Sequence, residues 1–265
     1  MRDFRGKLAL ITGASSGIGE ALALALAAEG AQLILSARDE PRLAQVRARC
    51  EALRAKVEVY PAEVSDEAQM QAMADAIHAR HPALDILINN AGVVMGGLCW
   101  QVEPADWRRL HEINVMGVVH AIRAFVPRMV LRRSGHVVNM ASVSGYVGAP
   151  GMATYSASKF AVMGLSESLR RELRRHGVGV STICPGFVKT PIQSKVKLVG
   201  DLDTPAGRAR VDRDFARTTL TAEQVAQRTL KAIRHNEAVA SIGREAVMAN
   251  FAKRWMPGLL DKVLG

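Results

Sequence analysis

The 265-residue chain predicts a single-domain α/β fold: a doubly wound sheet of about seven parallel strands with helices on both faces. Three observations carry this. Short apolar runs dense in Val, Ile and Leu recur without strict polar alternation, as strands buried on both faces require. Helical patterns stand between them in regular succession, the signature of βαβ units. The first strand runs directly into a glycine-rich turn that opens a helix, where such sheets place their ligand.

Taken in order, "KLALITG" is the first strand and "TGASSGIG" (Thr12 to Gly19) the turn. "GEALALALAAEG" is the first helix, with Gly30 as its stop signal. "AQLILSA" is the second strand and ends at Ala37. Arg38 follows it, while Asp39 and Glu40, just ahead of Pro41, suit the N-terminus of the next helix. "KVEVYPA" is the third strand, and "DEAQMQAMADAIHARH" is a helix closed by Pro82. "LDILINNAG", "GHVVNMAS", "VGVSTICPG" and "AVASIG" complete the strands. Residues 191–220 break the rhythm: Pro191, Gly200, Pro205 and Gly207 among many charges read as an irregular, mobile lid. The domain spans 1–243, and 244–265 form an amphipathic extension of it.

Composition is that of an ordinary soluble globular protein, with 49% hydrophobic, 23% charged and only 5% aromatic residues. The net charge of +10 raises nucleic acid as a partner, but the basic residues are dispersed. The densest cluster, Arg170 to Arg175, falls late in a helix, where positive charge suits the C-terminal end, so no nucleic-acid partner is expected. Cys50, Cys99 and Cys184 are far apart, without ligand spacing, so neither a disulfide framework nor a metal site is expected. No run reaches the ~18 apolar residues of a membrane span. The first strand begins too early for a signal peptide, so the expected address is the cytoplasm.

Chemistry concentrates at the strand ends. Gly13, Gly17 and Gly19 let the chain turn sharply, approach a pyrophosphate and aim helix N–H groups at its charge. "TYSASKF" sets Tyr155 and Lys159 four residues apart, on one helix face. An ammonium ~4 Å from the phenol, at an effective dielectric of ~20, supplies about 4 kcal/mol and draws the phenol from near 10 toward 7. Ser142 ends the fifth strand, where it can hydrogen-bond a carbonyl oxygen, and "LINNAG" ends the fourth. Asn114 sits inside a helical pattern, a poor place for Asn that fits a structural or a functional role equally.

With "TGASSGIG", "NNAG", "INVMG", "ASVSG", "YSASK" and "CPGFVKT" in this order and spacing, the chain from Lys7 to about Gly243 resembles the classical short-chain dehydrogenase/reductase family, with its Rossmann-type fold. The resemblance implies a catalytic tetrad of Asn114, Ser142, Tyr155 and Lys159. Tyr155 exchanges a proton with a carbonyl or alcohol oxygen, which Ser142 orients. Lys159 holds the nicotinamide ribose and depresses the tyrosine pKa, and Asn114 positions a water. Gly13, Ser15, Ser16, Gly17, Ile18 and Gly19 would line the pyrophosphate, and Asn90, Ala91 and Gly92 the fourth strand's share of the site. Pro185, Gly186, Val188 and Thr190 would cover the nicotinamide. Glu63-Val64 stands where relatives often carry Asp-Val or Asp-Leu against the adenine, which leaves Val64 the firmer match of the two.

By the same resemblance, the acid that binds both ribose hydroxyls of NAD corresponds to Ala37. Ala37 leaves room for a 2′-phosphate that Arg38 can grip with its planar fork, so NADP(H) is expected over NAD(H), with Asp39 able to blunt the preference. Met95, Ser142, Val143, Tyr146 and Phe187 would bound an apolar substrate pocket. The expected substrate is a hydrophobic carbonyl compound or alcohol, and the expected assembly a homodimer or homotetramer. A 3-oxoacyl thioester reductase and a catalytically silent NADP-binding regulator are the alternatives; the intact tetrad speaks against the second. In the tail, Val247, Phe251 and Trp255 recur at four-residue spacing, followed by Leu259, Leu260 and Val263 and flanked by Lys253, Arg254 and Lys262. This stripe fits a pocket cover, a subunit interface or a membrane surface, and packing is the usual destination of such a helix.

Overall fold

Strands and helices alternate throughout a computed structural model that describes residues 1, 3–256 and 258. β1 (Leu8–Thr12), β2 (Gln32–Ala37), β3 (Val57–Pro61), β4 (Ile86–Asn89), β6 (Gly135–Met140), β7 (Val178–Pro185) and β9 (Val239–Ile242) form one sheet. Its order is β3-β2-β1-β4-β6-β7-β9, with every pairing parallel. All seven anticipated strands are present. Order reverses between β1 and β4, which opens a crevice beyond their carboxyl ends.

Both faces of the sheet are covered, as the apolar runs require. In β2 the side chains alternate: Leu33 and Leu35 join the core beneath α1 (Gly17–Ala28), α2 (Glu40–Ala52) and α8 (Ala222–His235). Ile34 joins the opposite core, with Met70 and Ile77 of α3 (Glu67–His78) and Phe125 and Met129 of α5 (Gly117–Arg132). Leu169 and Leu173 of α6 (Ala153–Arg174) close that second layer. Asp39 caps α2 by accepting from the Arg42 amide at 3.1 Å, with Glu40 and Pro41 in the first turn, as the sequence indicated.

Three features differ from the sequence reading. The 191–220 excursion is not irregular throughout. It contains β8 (Lys197–Leu198), which pairs with β5 (Met95–Gly96) in a separate two-stranded sheet, and α7 (Pro205–Ala216). Thr204 starts α7 by accepting from the Gly207 amide at 3.0 Å, with Pro205 at the first helical position, so the proline and glycine taken as breakers are helix-start signals. Second, α4 (Pro104–His111), a π-helical stretch (Glu112–Met116) and α5 run on as one helix, Pro104–Arg132, long and apolar enough by composition to cross a membrane; half of its most apolar window is buried in this fold. Third, α9 (Arg244–Trp255) packs inward through the small residues Ala246 and Ala249, while Val247, Phe251 and Trp255 face outward. Val247, Phe251 and Trp255 therefore do not cover a pocket. Leu259, Leu260 and Val263 lie outside the described residues.

Candidate active site

The crevice opens into one cavity of about 1190 Å³, walled by the carboxyl ends of the strands and roofed by the 191–220 lid. At one end stands the glycine turn. Gly13 has φ +65°, and a Cβ there would lie 2.8 Å from the Ala91 Cα, so the turn and the end of β4 approach closer than any side chain permits. Asn90 stitches them together: its amide side chain donates to the carbonyls of Thr12 (3.0 Å) and Gly13 (3.2 Å). The Thr12 hydroxyl accepts from the amides of Asn90 and Ala91, both at 3.1 Å. Thr12 is a positioning residue that sequence reasoning passed over, because a threonine ending a strand carries no signal of its own.

Gly13, Ser15, Ser16, Gly17 and Ile18 line the cavity, and among the described residues no side chain caps the N-terminus of α1 at Ser16. Uncapped helix N–H groups beside a glycine cradle fit a pyrophosphate. Gly19 is not part of the lining. It faces the Gly13 carbonyl, where its missing Cβ is what lets the helix close on the turn. Arg38, Glu63, Val64, Asn90, Ala91, Gly92, Pro185, Gly186, Val188 and Thr190 line the same cavity.

Ser142, Tyr155 and Lys159 all line this cavity. Lys159 is buried and donates to the Met140 carbonyl at 2.9 Å, with its ammonium 5.7 Å from the centroid of the Tyr155 ring. Burial pushes Lys159 down to about 8. Burial also raises Tyr155 above the usual tyrosine range, and the hydrogen bond from Ser142 offsets only part of that. This corrects the expectation that Lys159 draws the phenol toward neutrality. The lysine sits beside the ring and is committed to a carbonyl.

The pH consequence has a definite sign. Between about 8 and the ordinary lysine value of 10.5, the unfolded chain holds a Lys159 proton that the folded chain has released. Stability therefore rises with pH across that window, and the burial cost is fully felt below it. Chemical denaturation across this range should show the rise in the parent and a flatter profile in Lys159→Met. Parallel profiles would remove Lys159 as the cause.

Asn114 lies in the π-helical stretch, behind the cavity wall rather than in it. Its carbonyl accepts from the Val93 amide at 2.8 Å, and its amide donates to the Val93 carbonyl (3.0 Å) and the Ser158 hydroxyl (3.1 Å). The side chain is used up in holding the loop after β4 against α6, so both of its amide hydrogens are engaged by protein. A π-bulge is a common device where a helix passes a functional site.

At the other end, Val143 and Phe187 line the cavity as expected, but Met95 and Tyr146 do not. Met95 points away from it into a cluster with Val102 and Leu110, because strand residues alternate: its neighbours Val94 and Gly96 take the cavity side. Tyr146 is turned into the core by the short helical turn Val143–Gly145, and its hydroxyl pairs with that of Ser241 at 2.9 Å. The lid supplies apolar wall, as expected of the 191–220 excursion, through residues that the sequence reading did not single out, notably Val211 and Phe215 of α7. Their four-residue spacing marks one helix face and was the available signal. Phe215 meets Phe187 edge to face at 5.5 Å.

A family model described as short chain dehydrogenase matches residues 7–198. The chain is 35% identical over 191 residues to the 3-oxoacyl-(acyl-carrier-protein) reductase FabG of Thermotoga maritima, across 72% of this chain and 78% of that protein. A short chain dehydrogenase/reductase from Burkholderia phymatum, solved in complex with NAD, superposes with a TM-score of 0.88 at 35% identity, covering 100% of this chain and 98% of that one. A metagenomic short-chain oxidoreductase in complex with NADP superposes at 0.74 with 28% identity, over 90% of this chain and 96% of that one.

Proposed function

The chain belongs to the short chain dehydrogenase family, a family of oxidoreductases acting on CH–OH and C=O groups, and from that premise we propose that it is an NADP(H)-dependent enzyme interconverting a hydrophobic carbonyl compound with its secondary alcohol. One observation carries the reading: Ser142, Tyr155 and Lys159 converge on a single cavity whose far end presents the uncapped N-terminus of α1 and Arg38. The nicotinamide, when bound, supplies or accepts the hydride. Tyr155 gives a proton to the substrate oxygen in reduction and takes it back in oxidation. Ser142 donates a hydrogen bond to the same oxygen and stabilises the charge that develops there. Lys159 places a positive charge beside the ring, and Asn114 holds the β4 loop in register with α6. The lid, with Phe187, Val211 and Phe215, keeps water from the reacting atoms and favours an apolar substrate.

A second reading, a 3-oxoacyl thioester reductase, has support from the Thermotoga maritima relative and from Lys195 and Arg210, which bring positive charge to the lid side of the cavity. Turnover of aliphatic, aromatic and polycyclic ketones and of 3-oxoacyl thioesters with NADPH and NADH decides between them: faster turnover of thioesters than of simple ketones would replace the first reading by the second. The apolar groove between α5 and α6, which runs from the half-buried Ile122 to the exposed Leu131, supports a homodimer or homotetramer.

Preference for NADPH is assigned to Arg38. Arg38→Gln should weaken NADPH binding by about tenfold, the size of a lost charge-assisted hydrogen bond, and NADH binding much less. Equal loss for both cofactors, measured by equilibrium titration, would remove Arg38 as the phosphate contact.

A further inference from the structure

Arg38 is not free at the end of β2. Its Nη1 donates to Oε2 of Glu63 at 3.1 Å, across the gap between the ends of β2 and β3. Both side chains line the cavity, but they are held differently. The Glu63 side chain is 27% exposed and the Arg38 side chain 61%. The second Glu63 oxygen accepts from the Ser65 amide at 3.4 Å, and the Glu63 amide donates to the Gln69 side chain at 3.0 Å. The carboxylate thus has a second protein partner, whereas the guanidinium is held by a single bond among the described residues. The other nearby acid, Asp39, is engaged elsewhere, with the Arg42 amide at 3.1 Å and the Arg42 guanidinium at 3.4 Å. Of the two carboxylates beside Arg38, Glu63 is the one that competes for it.

We infer that Glu63 is the counterweight to Arg38, a positioning residue that lowers the enzyme's selectivity for a phosphorylated over an unphosphorylated adenosine ribose. This rests on the assignment of Arg38 to a 2′-phosphate. An incoming phosphate must draw the guanidinium from Glu63, and the ion pair that is broken weakens NADPH. A ribose 2′-hydroxyl has no need of the guanidinium and leaves the pair intact. Selectivity here is a difference between two affinities, set by a competing element as much as by an attractive one.

The test is a double-mutant cycle on the full chain, with the affinities for NADPH and NADH measured by equilibrium titration and thermal melts run alongside. Glu63→Gln keeps the side chain's length and removes its charge; it should raise the NADPH-to-NADH affinity ratio by about tenfold. In an Arg38→Gln background the same substitution should move the ratio by less than about threefold, because the partner it restrains is gone. An unchanged ratio in Glu63→Gln, or an equal shift for both cofactors, overturns the inference. So does a full effect in the Arg38→Gln background, which would mean that Glu63 acts on the nucleotide directly. If instead Arg38→Gln alone leaves NADPH affinity at the parent value, it is the phosphate assignment that fails, and the two failures are told apart within one data set.

Discussion

Tyr155→Phe is expected to lower carbonyl turnover by about 10²–10⁴-fold, the range of a lost general acid or base, while changing cofactor affinity little. The substitution removes one oxygen and keeps the ring that packs in the wall. Ser142 remains and still polarises the substrate oxygen, so residual turnover is expected rather than none. The burial that raises the phenol above its usual range also keeps it protonated at neutral pH, the form that reduction consumes. Steady-state rates with a responsive ketone, paired with cofactor titration of the same preparation, separate the lost proton from a lost cofactor.

Gly19→Ala should be almost as damaging, by a different route. A Cβ at Gly19 would lie 2.2 Å from the Gly13 carbonyl oxygen and 2.6 Å from the Asn90 amide nitrogen. The first of these is backbone and cannot swing aside. Relief requires α1 to back away from the glycine turn, which breaks the hydrogen bonds from Asn90 and moves the helix N-terminus off the phosphate position. Overpacking of this kind costs up to about 3 kcal/mol, or about 100-fold in cofactor affinity if it falls on the bound state. Both cofactors should suffer alike, in contrast to the selective effect of Arg38→Gln, and the melting temperature should drop with them. Retention of parent affinity would show that the turn has slack that the structure does not display.

Most of the sheet was legible because its cause is local. Strands buried on both faces must be apolar at consecutive positions, and β1, β2 and β4 show this. Asp39, Glu40 and Pro41 announced the start of α2 for the same reason: capping is decided within one turn. What the sequence hid depends on direction or on distant partners. Whether Met95 or Val94 faces the cavity hangs on the register of a two-residue strand paired with residues a hundred positions later. Tyr146 looked like pocket wall because it follows Ser142 closely, yet the helical turn between them rotates it toward Ser241. The tyrosine–lysine pair was read correctly as a pair but not in its electrostatics. Helical spacing fixes neighbours on a face, whereas the direction of the Tyr155 pKa shift is set by burial, which no spacing rule reveals. The π-bulge that carries Asn114 left no clearer trace than an asparagine in a helix.

Product analysis tests the central claim most directly. Purified chain, NADPH and a panel of hydrophobic ketones are incubated together, and the secondary alcohol formed is compared with the cofactor consumed, with Tyr155→Phe run in parallel. The account predicts at least one ketone reduced to its alcohol, mole for mole with NADPH consumed, and almost none formed by the variant. A chain that binds NADPH but forms no alcohol from any ketone, aldehyde or 3-oxoacyl thioester, or a variant that forms it as fast as the parent, would contradict the account.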